Sequence, residues 1–127
     1  MSTSIVSTAS APAAIGTYSQ AVTTGQLTFV SGQIPLDPET MEMVSDDFVE
    51  QATQVFRNLS AVADAAGPGL AGCVKLTVYL TDLNDFQKLN EVMAEFVAEP
   101  YPARAAVQVS ALPKGAQIEI DAILTSA

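Results

Sequence analysis

YPARAAVQVSALPKGAQIEID, residues 101–121, is the segment that decides the predicted fold. Small or apolar residues alternate with polar ones over residues 104–109 and again from Ile118 onward, a pattern typical of β-strands. Between the two runs, Leu112-Pro113-Lys114-Gly115 is composed largely of residues that form turns. The segment therefore predicts two strands with a tight connection.

Each of these strands carries an isolated charge at its start, Arg104 in the first and Glu119 in the second. Successive side chains of a strand point to opposite faces of the sheet. If helices cover the face that carries Val107 and Ile118, alternation predicts that Arg104 and Glu119 lie together on the uncovered face. A salt bridge between the two charges is an alternative that the sequence leaves open.

The rest of the chain predicts one domain over residues 1–127 with the element order β-β-β-α-β-α-β-β, an α+β fold. Short strands are expected near residues 5–6, 21–22 and 27–31, and strands over residues 73–80 and 104–109 and in the segment from Ile118. Apolar residues at helical spacing predict a first helix, capped by Ser45 or Asp46 and stopped by Gly67. A second helix is expected after Asp82 or Asn84, ending at Pro100. Both helices should cover one face of a mixed sheet.

The uncovered face of the sheet is predicted to be partly apolar. In residues 73–80, alternation places Val74 on the helix side and puts Cys73, Thr77 and Tyr79 on the uncovered side. Such a face is too apolar for free solvent and too polar for a dry core. A subunit interface that contains a site is the natural interpretation.

Composition excludes several classes of function. Five cationic against fourteen acidic residues give a net charge of −9, which disfavours nucleic acid as a partner. With no histidine and one cysteine, common zinc sites and histidine triads are not expected, so no metal site is predicted. We find no phosphate-binding glycine loop, apolar span or signal peptide, so we expect no nucleotide cofactor, no membrane association and a cytoplasmic location.

Few side chains could perform chemistry. Arg104 can hold a carboxylate through its planar fork, and Glu119 between two isoleucines is the best candidate for an acid or base. Glu119 as an ordinary strand carboxylate and Tyr18 as a packing residue are the plainer alternatives. Cys73 is expected to be a buried, unreactive thiol, and Asp82 is better explained as a helix cap than as a cation ligand.

Five segments together resemble the RidA family, also called the YjgF family, of enamine and imine deaminases. They are IGTYSQAV at 15–22, FVSGQIPLDPET at 29–40, VYLTDLNDF at 78–86, YPARAAV at 101–107 and LPKGAQIEIDAI at 112–123. The match runs through nearly the whole chain in order.

The resemblance implies a chorismate-mutase-like subunit and a homotrimer with clefts between neighbouring subunits. It implies hydrolysis of small 2-enamino or 2-imino acids, such as 2-aminoacrylate, to 2-keto acids and ammonia. By the same resemblance, Arg104 holds the substrate carboxylate and Glu119 activates water. Further residues that the family places at the cleft are Tyr18, Ser31, Gly32 and Asn90. No metal or organic cofactor is implied.

Three departures from the family pattern bear on specificity. Ala106 stands where many members carry cysteine, Thr17 replaces a common proline, and the linker before Tyr101 is short. A deaminase of a larger, aminomuconate-like enamine is therefore an alternative, as is a non-catalytic module that binds a small carboxylate.

Overall fold

The computed structural model describes residues 2–127, which form six strands and two helices in the predicted order. The elements are β1 (Thr3–Val6), β2 (Ala21–Thr24), β3 (Leu27–Gln33), α1 (Phe48–Ala66), β4 (Cys73–Leu80), α2 (Phe86–Phe96), β5 (Ala103–Gln108) and β6 (Ile118–Thr125). The six strands make one sheet in the order β1-β2-β3-β6-β4-β5. β4 and β5 pair in parallel and the other neighbours are antiparallel, so the predicted mixed α+β fold is confirmed.

The helices begin and end for local reasons. α1 is capped by Asp47, whose carboxylate accepts a hydrogen bond from the Glu50 N–H at 3.0 Å, so the predicted cap at Ser45 or Asp46 was wrong by one or two residues. Gly67 ends α1 with φ 116°, as predicted. Asp82 caps the 3₁₀ turn Leu83–Asp85 that leads into α2.

Both helices pack on one face of the sheet. Their shared core is apolar, with Phe56 of α1 stacked on Phe96 of α2 at 5.3 Å between ring centroids. The sheet contributes fully buried residues from its central strands, including Leu76, Val78 and Ile120. The opposite face is uncovered in the subunit and carries exposed apolar side chains, among them Phe29. We call it the open face.

An irregularity in β4 exchanges the predicted faces of its first two residues. Cys73 pairs with Leu124 and Lys75 with Ile123, so Val74 is an extra residue on β4. Cys73 consequently packs against the core, and Val74 is exposed instead. The alternation predicted from the sequence holds again from Lys75 onward, because the bulge shifts the pattern once.

The predicted orientation of β5 was also wrong. Arg104 pairs with Leu76, which is buried on the helix side, whereas Val107 pairs with Tyr79 on the open face. Cross-strand partners share a face, so Arg104 lies on the helix side of the sheet. On the helix side, Ala106 packs against the core, whereas Val107 on the open face is 44% exposed. The small side chain of this strand is therefore the one beneath the helices.

None of the helices formed by residues 2–127 is long and apolar enough to cross a membrane.

Candidate active site

Four of the predicted site residues lie together around one cleft of about 480 Å³. Glu119 of β6 lines it, with Ser31 and Gly32 of β3 and with Tyr18 from the loop before β2. The two strands are neighbours in the sheet, which brings residues far apart in sequence to one wall. We call this the Glu119 cleft.

A bulge in β3 shapes this wall. The pairing of β3 with β6 shifts between Val30 and Gln33, so Ser31 and Gly32 lie outside the regular ladder. The Ser31 hydroxyl donates to the backbone carbonyl of Ser19, next to Tyr18. The bulge therefore joins β3 to the loop that carries Tyr18.

The carboxyl group of Glu119 lies against Gly32. A Cβ atom at position 32 would overlap the Oε2 atom of Glu119, so the absence of a side chain makes room for the carboxyl group. Burial raises the pKa of Glu119, and the negative charge of Asp121 raises it further. Asp121 is two residues along β6 on the same face, where its Oδ2 accepts a hydrogen bond from the Tyr79 hydroxyl at 3.0 Å.

The loop on the other side of the cleft is held from within the protein. Gln20 is 3% exposed, and its amide oxygen accepts a hydrogen bond from the Thr8 N–H at 2.7 Å. Its amide nitrogen donates to the carbonyls of Thr8, Ala11 and Pro12. Since Pro12 lines the Glu119 cleft, this buried amide fixes the position of that wall.

Arg104 and Asn90 form a second group. The Nη1 atom of Arg104 donates to Oδ1 of Asn90, and the guanidinium carbon lies 4.9 Å from the centroid of the Phe86 ring. Nη1 also lies 3.6 Å from the sulfur of Met93. These contacts come from one side of α2, and Tyr101 lines the same pocket. Arg104 is exposed, so its remaining N–H groups can bind a ligand.

The two groups are separated within one subunit. Glu119 and Val107 both pair with Tyr79, and Arg104 lies three residues before Val107. With ~4.8 Å between strands and ~3.3 Å per residue, the Cα atoms of Arg104 and Glu119 are roughly 14 Å apart. Their side chains also point to opposite faces, so the salt bridge that the sequence left open does not form within the subunit.

Several residues at the two groups were not identified as site residues from the sequence. Asp121 follows Glu119 at the two-residue period of a strand, which could have revealed it. Phe86 and Asn90 are four positions apart on α2, a spacing that places them side by side and could have linked Phe86 to the site. No pattern predicted the part that Lys114 takes in lining the Glu119 cleft.

Two other candidates have structural explanations. The Asp82 carboxylate accepts a hydrogen bond from the Asn84 N–H at 2.9 Å, so Asp82 is a capping residue, but of the 3₁₀ turn before α2. The prediction that Asp82 or Asn84 caps α2 itself was wrong, because Asp85 stands at that N-cap and makes no capping side-chain hydrogen bond. Cys73 is partly buried against the core, and burial raises the pKa of its thiol, which favours the protonated form. Throughout residues 2–127, no group of three or more histidine, cysteine, aspartate or glutamate side chains could hold a metal ion.

Comparison with known proteins gives consistent matches along the chain. The sequence model of the endoribonuclease L-PSP family matches residues 8–125. The RutC family protein y4sK of Sinorhizobium fredii is 54% identical over 120 residues, which cover 94% of this chain and 95% of that protein. The 2-iminobutanoate/2-iminopropanoate deaminase of Homo sapiens is 46% identical over 119 residues, which cover 94% of this chain and 87% of that protein.

Solved structures agree with these matches. RidA from the Antarctic bacterium Psychrobacter sp. superposes with a TM-score of 0.93 at 55% identity, covering 96% of this chain and 98% of that chain. Escherichia coli TdcF, crystallised with bound serine, superposes with a TM-score of 0.92 at 43% identity, covering 98% of this chain and 99% of that chain.

Proposed function

Because this chain belongs to the endoribonuclease L-PSP family, which includes the RidA, YjgF and RutC proteins, we propose that it is an imine deaminase. Its substrates are small 2-imino acids and their 2-enamino tautomers, of the 2-aminoacrylate type. Water adds to the imine carbon, a C–O bond forms, and the C–N bond then breaks with its electron pair leaving on ammonia. The products are a 2-keto acid and ammonia.

The observation that carries this proposal is the raised pKa of Glu119 in the wall of a cleft. A carboxyl group whose pKa is raised by burial and by Asp121 can exchange protons closer to neutral pH than an ordinary glutamate. In the ionised form, Glu119 accepts a proton from the attacking water. In the protonated form, it returns that proton to the departing nitrogen.

Arg104 is proposed to hold the substrate carboxylate. Asn90 and Phe86 fix one side of its guanidinium group, so the free N–H groups are oriented before the ligand arrives. Tyr18, Ser31 and Gly32 then shape the cleft in which Glu119 meets the imine carbon. Free imines already react with water, so orientation and proton transfer are sufficient, without a metal or organic cofactor.

The separation of the two groups supports a site between subunits. A three-carbon substrate cannot reach both Arg104 and Glu119 of one chain across the sheet. It can do so if Arg104 of one subunit faces Glu119 of a neighbour. We therefore propose a chorismate-mutase-like homotrimer whose interfaces use the open face, where exposed Phe29 and Val107 need cover.

The imine-hydrolysis experiment described below also tests two other interpretations. The chain could prefer a larger, aminomuconate-like enamine, or it could bind small carboxylates without catalysis. Cleavage of RNA, which the family's description suggests, is disfavoured because a net charge of −9 repels a phosphate backbone. The proposed location is the cytoplasm, since the lone Cys73 suits a reducing compartment.

The deciding experiment measures keto acid and ammonia formed from a panel of 2-imino acids, each generated in the assay by an amino-acid oxidase. We expect wild-type protein to accelerate hydrolysis and Arg104→Ala to abolish the acceleration while leaving the oligomer intact. Arg57→Ala, which removes an exposed arginine on α1, is the matched control and should keep full activity. Tight carboxylate binding without acceleration of any imine would refute the deaminase proposal. It would favour the non-catalytic module that binds a small carboxylate.

A further inference from the structure

The turn Pro113–Gly115 places a strained lysine in the wall of the Glu119 cleft. Lys114 has φ 58° and lines the cleft. This left-handed conformation is costly for a residue with a Cβ atom, and glycine or asparagine would relieve the cost. Met41, with φ 60°, is the other non-glycine residue described in this conformation, and it lines the same cleft. The backbone strain is therefore concentrated where a ligand is expected to bind.

The charge of Lys114 is available to a ligand. Across residues 2–127, its ammonium group has no hydrogen-bond or ion-pair partner within the chain. Of the described residues that line the cleft, Lys114 and Glu119 alone are charged. A cationic side chain in the wall of a cleft attracts anions, so the position of Lys114 favours an anionic ligand.

In a single subunit, the cleft is larger than the smallest imino acid requires. At about 30 Å³ for each water-sized group, the roughly six non-hydrogen atoms of a three-carbon imino acid fill about 180 Å³. That is less than half of the 480 Å³ that the cleft has in one subunit before a neighbour covers it. The remaining wall includes the apolar side chains of Ile15, Ile34, Leu36 and Met41. Space of this kind suits a chain of methylene groups.

We propose that Lys114 is a specificity residue that binds a second carboxylate, at the far end of a 2-imino dicarboxylic acid. This inference rests on the proposed deaminase function and names a substrate class for it. The methylene chain of the substrate lies along the apolar wall, between the imine carbon at Glu119 and the ammonium group of Lys114. One lysine balances one carboxylate, whereas a phosphate of charge near −2 would leave excess negative charge in a cleft that already contains Glu119.

The test compares two substrates of equal carbon number, 2-iminoglutarate and 2-iminopentanoate, which differ only in the terminal carboxylate. Lys114→Met removes the charge and keeps the length of the side chain, and Lys114→Arg keeps the charge. Lys114→Asn removes the charge and tolerates the left-handed backbone, so it guards against a loss caused by misfolding. Binding of glutarate and of pentanoate is measured by calorimetry in parallel, so one readout does not depend on turnover.

We expect Lys114→Met and Lys114→Asn to lower kcat/KM for 2-iminoglutarate about two- to fivefold, the loss of one exposed charge contact, with 2-iminopentanoate changed less than about 1.5-fold. Lys114→Arg should preserve the preference, and glutarate affinity should follow the same order. Equal effects on both substrates, or no effect on either, would overturn the role of Lys114. If wild-type protein accelerates neither of these imines nor any other imine of the panel, the deaminase proposal fails, and the glutarate affinities alone decide whether Lys114 binds a carboxylate.

Discussion

Mixed oligomers of two inactive variants test directly whether each site is shared between subunits. Arg104→Ala retains Glu119, and Glu119→Gln retains Arg104. Within one chain the two residues lie on opposite faces of the sheet, with Cα atoms roughly 14 Å apart. If a working site takes Arg104 from one subunit and Glu119 from its neighbour, each variant alone is inactive and a mixture regains complete sites.

The magnitude of the recovery follows from the arrangement. In a ring of identical interfaces that mixes at random, a site is complete only when its arginine and its glutamate come from the appropriate variants. If p is the fraction of one variant, the fraction of complete sites is p(1 − p), which reaches about one quarter at equal mixing. Activity plotted against composition should therefore rise and fall symmetrically.

The assay is imine hydrolysis after co-expression, or after the two proteins are unfolded and refolded together so that subunits exchange. A double variant, Arg104→Ala with Glu119→Gln, mixed with wild type is the control. Shared sites predict that about one quarter of sites survive at equal mixing, whereas sites within single subunits predict about one half. If subunit exchange is demonstrated and the two single variants give no more activity together than apart, the shared site is refuted.

Four further outcomes are expected. Gly32→Ala should displace the Glu119 carboxyl group and lower kcat/KM about 10- to 100-fold, and a thermal melt close to wild type will separate this effect from unfolding. Asp121→Asn removes the negative charge that raises the pKa of Glu119, so the acidic limb of the pH–rate profile should move to lower pH; a shift to higher pH would contradict the assignment of Glu119 as the base. Because the pKa of Glu119 is raised on folding, this residue destabilises the folded state when it ionises. The loss of stability begins as the pH rises through the unfolded-state pKa and is complete above the folded-state pKa. Glu119→Gln should therefore unfold in urea at pH 7 with a free energy equal to wild type or up to about 0.5 kcal/mol higher, a small gain because the group is half-exposed. Cys73→Ala should keep kcat/KM within about twofold, and a larger loss would show that the protonated thiol takes part in the reaction.

The order of elements could be predicted because its signals are local. Period-two alternation identified residues 73–80 as a strand with the observed bounds, and Gly67 marked the end of α1 through its left-handed backbone. Glu119 was named from its sequence setting, the resemblance to the RidA family added Tyr18, Ser31 and Gly32, and all four lie around one cleft. Arg104 and Asn90 were named too, and they contact each other. Their roles in binding and catalysis stay predictions.

The error in β5 has a physical cause. Hydrophobicity favours Val107 over Ala106 for the buried side, since valine removes more apolar surface from water. β5 is an edge strand, and its register is set by parallel pairing with β4. That pairing places Ala106 beneath the helices and Arg104 beside Asn90 on α2. The more polar face of this strand therefore turns toward the helices, because the register with β4 overrides the apolar pattern of an edge strand.

The sequence by itself determined the α+β element order, the absence of histidine chemistry and the identity of the two charges, because these depend on composition and short-range periodicity. Only the tertiary structure decided that Arg104 and Glu119 face opposite sides of the sheet, that bulges expose Val74 and shape the Ser31–Gly32 wall, and that Lys114 lines the Glu119 cleft. Pairing register and bulges arise from contacts between distant segments, and no local pattern records them.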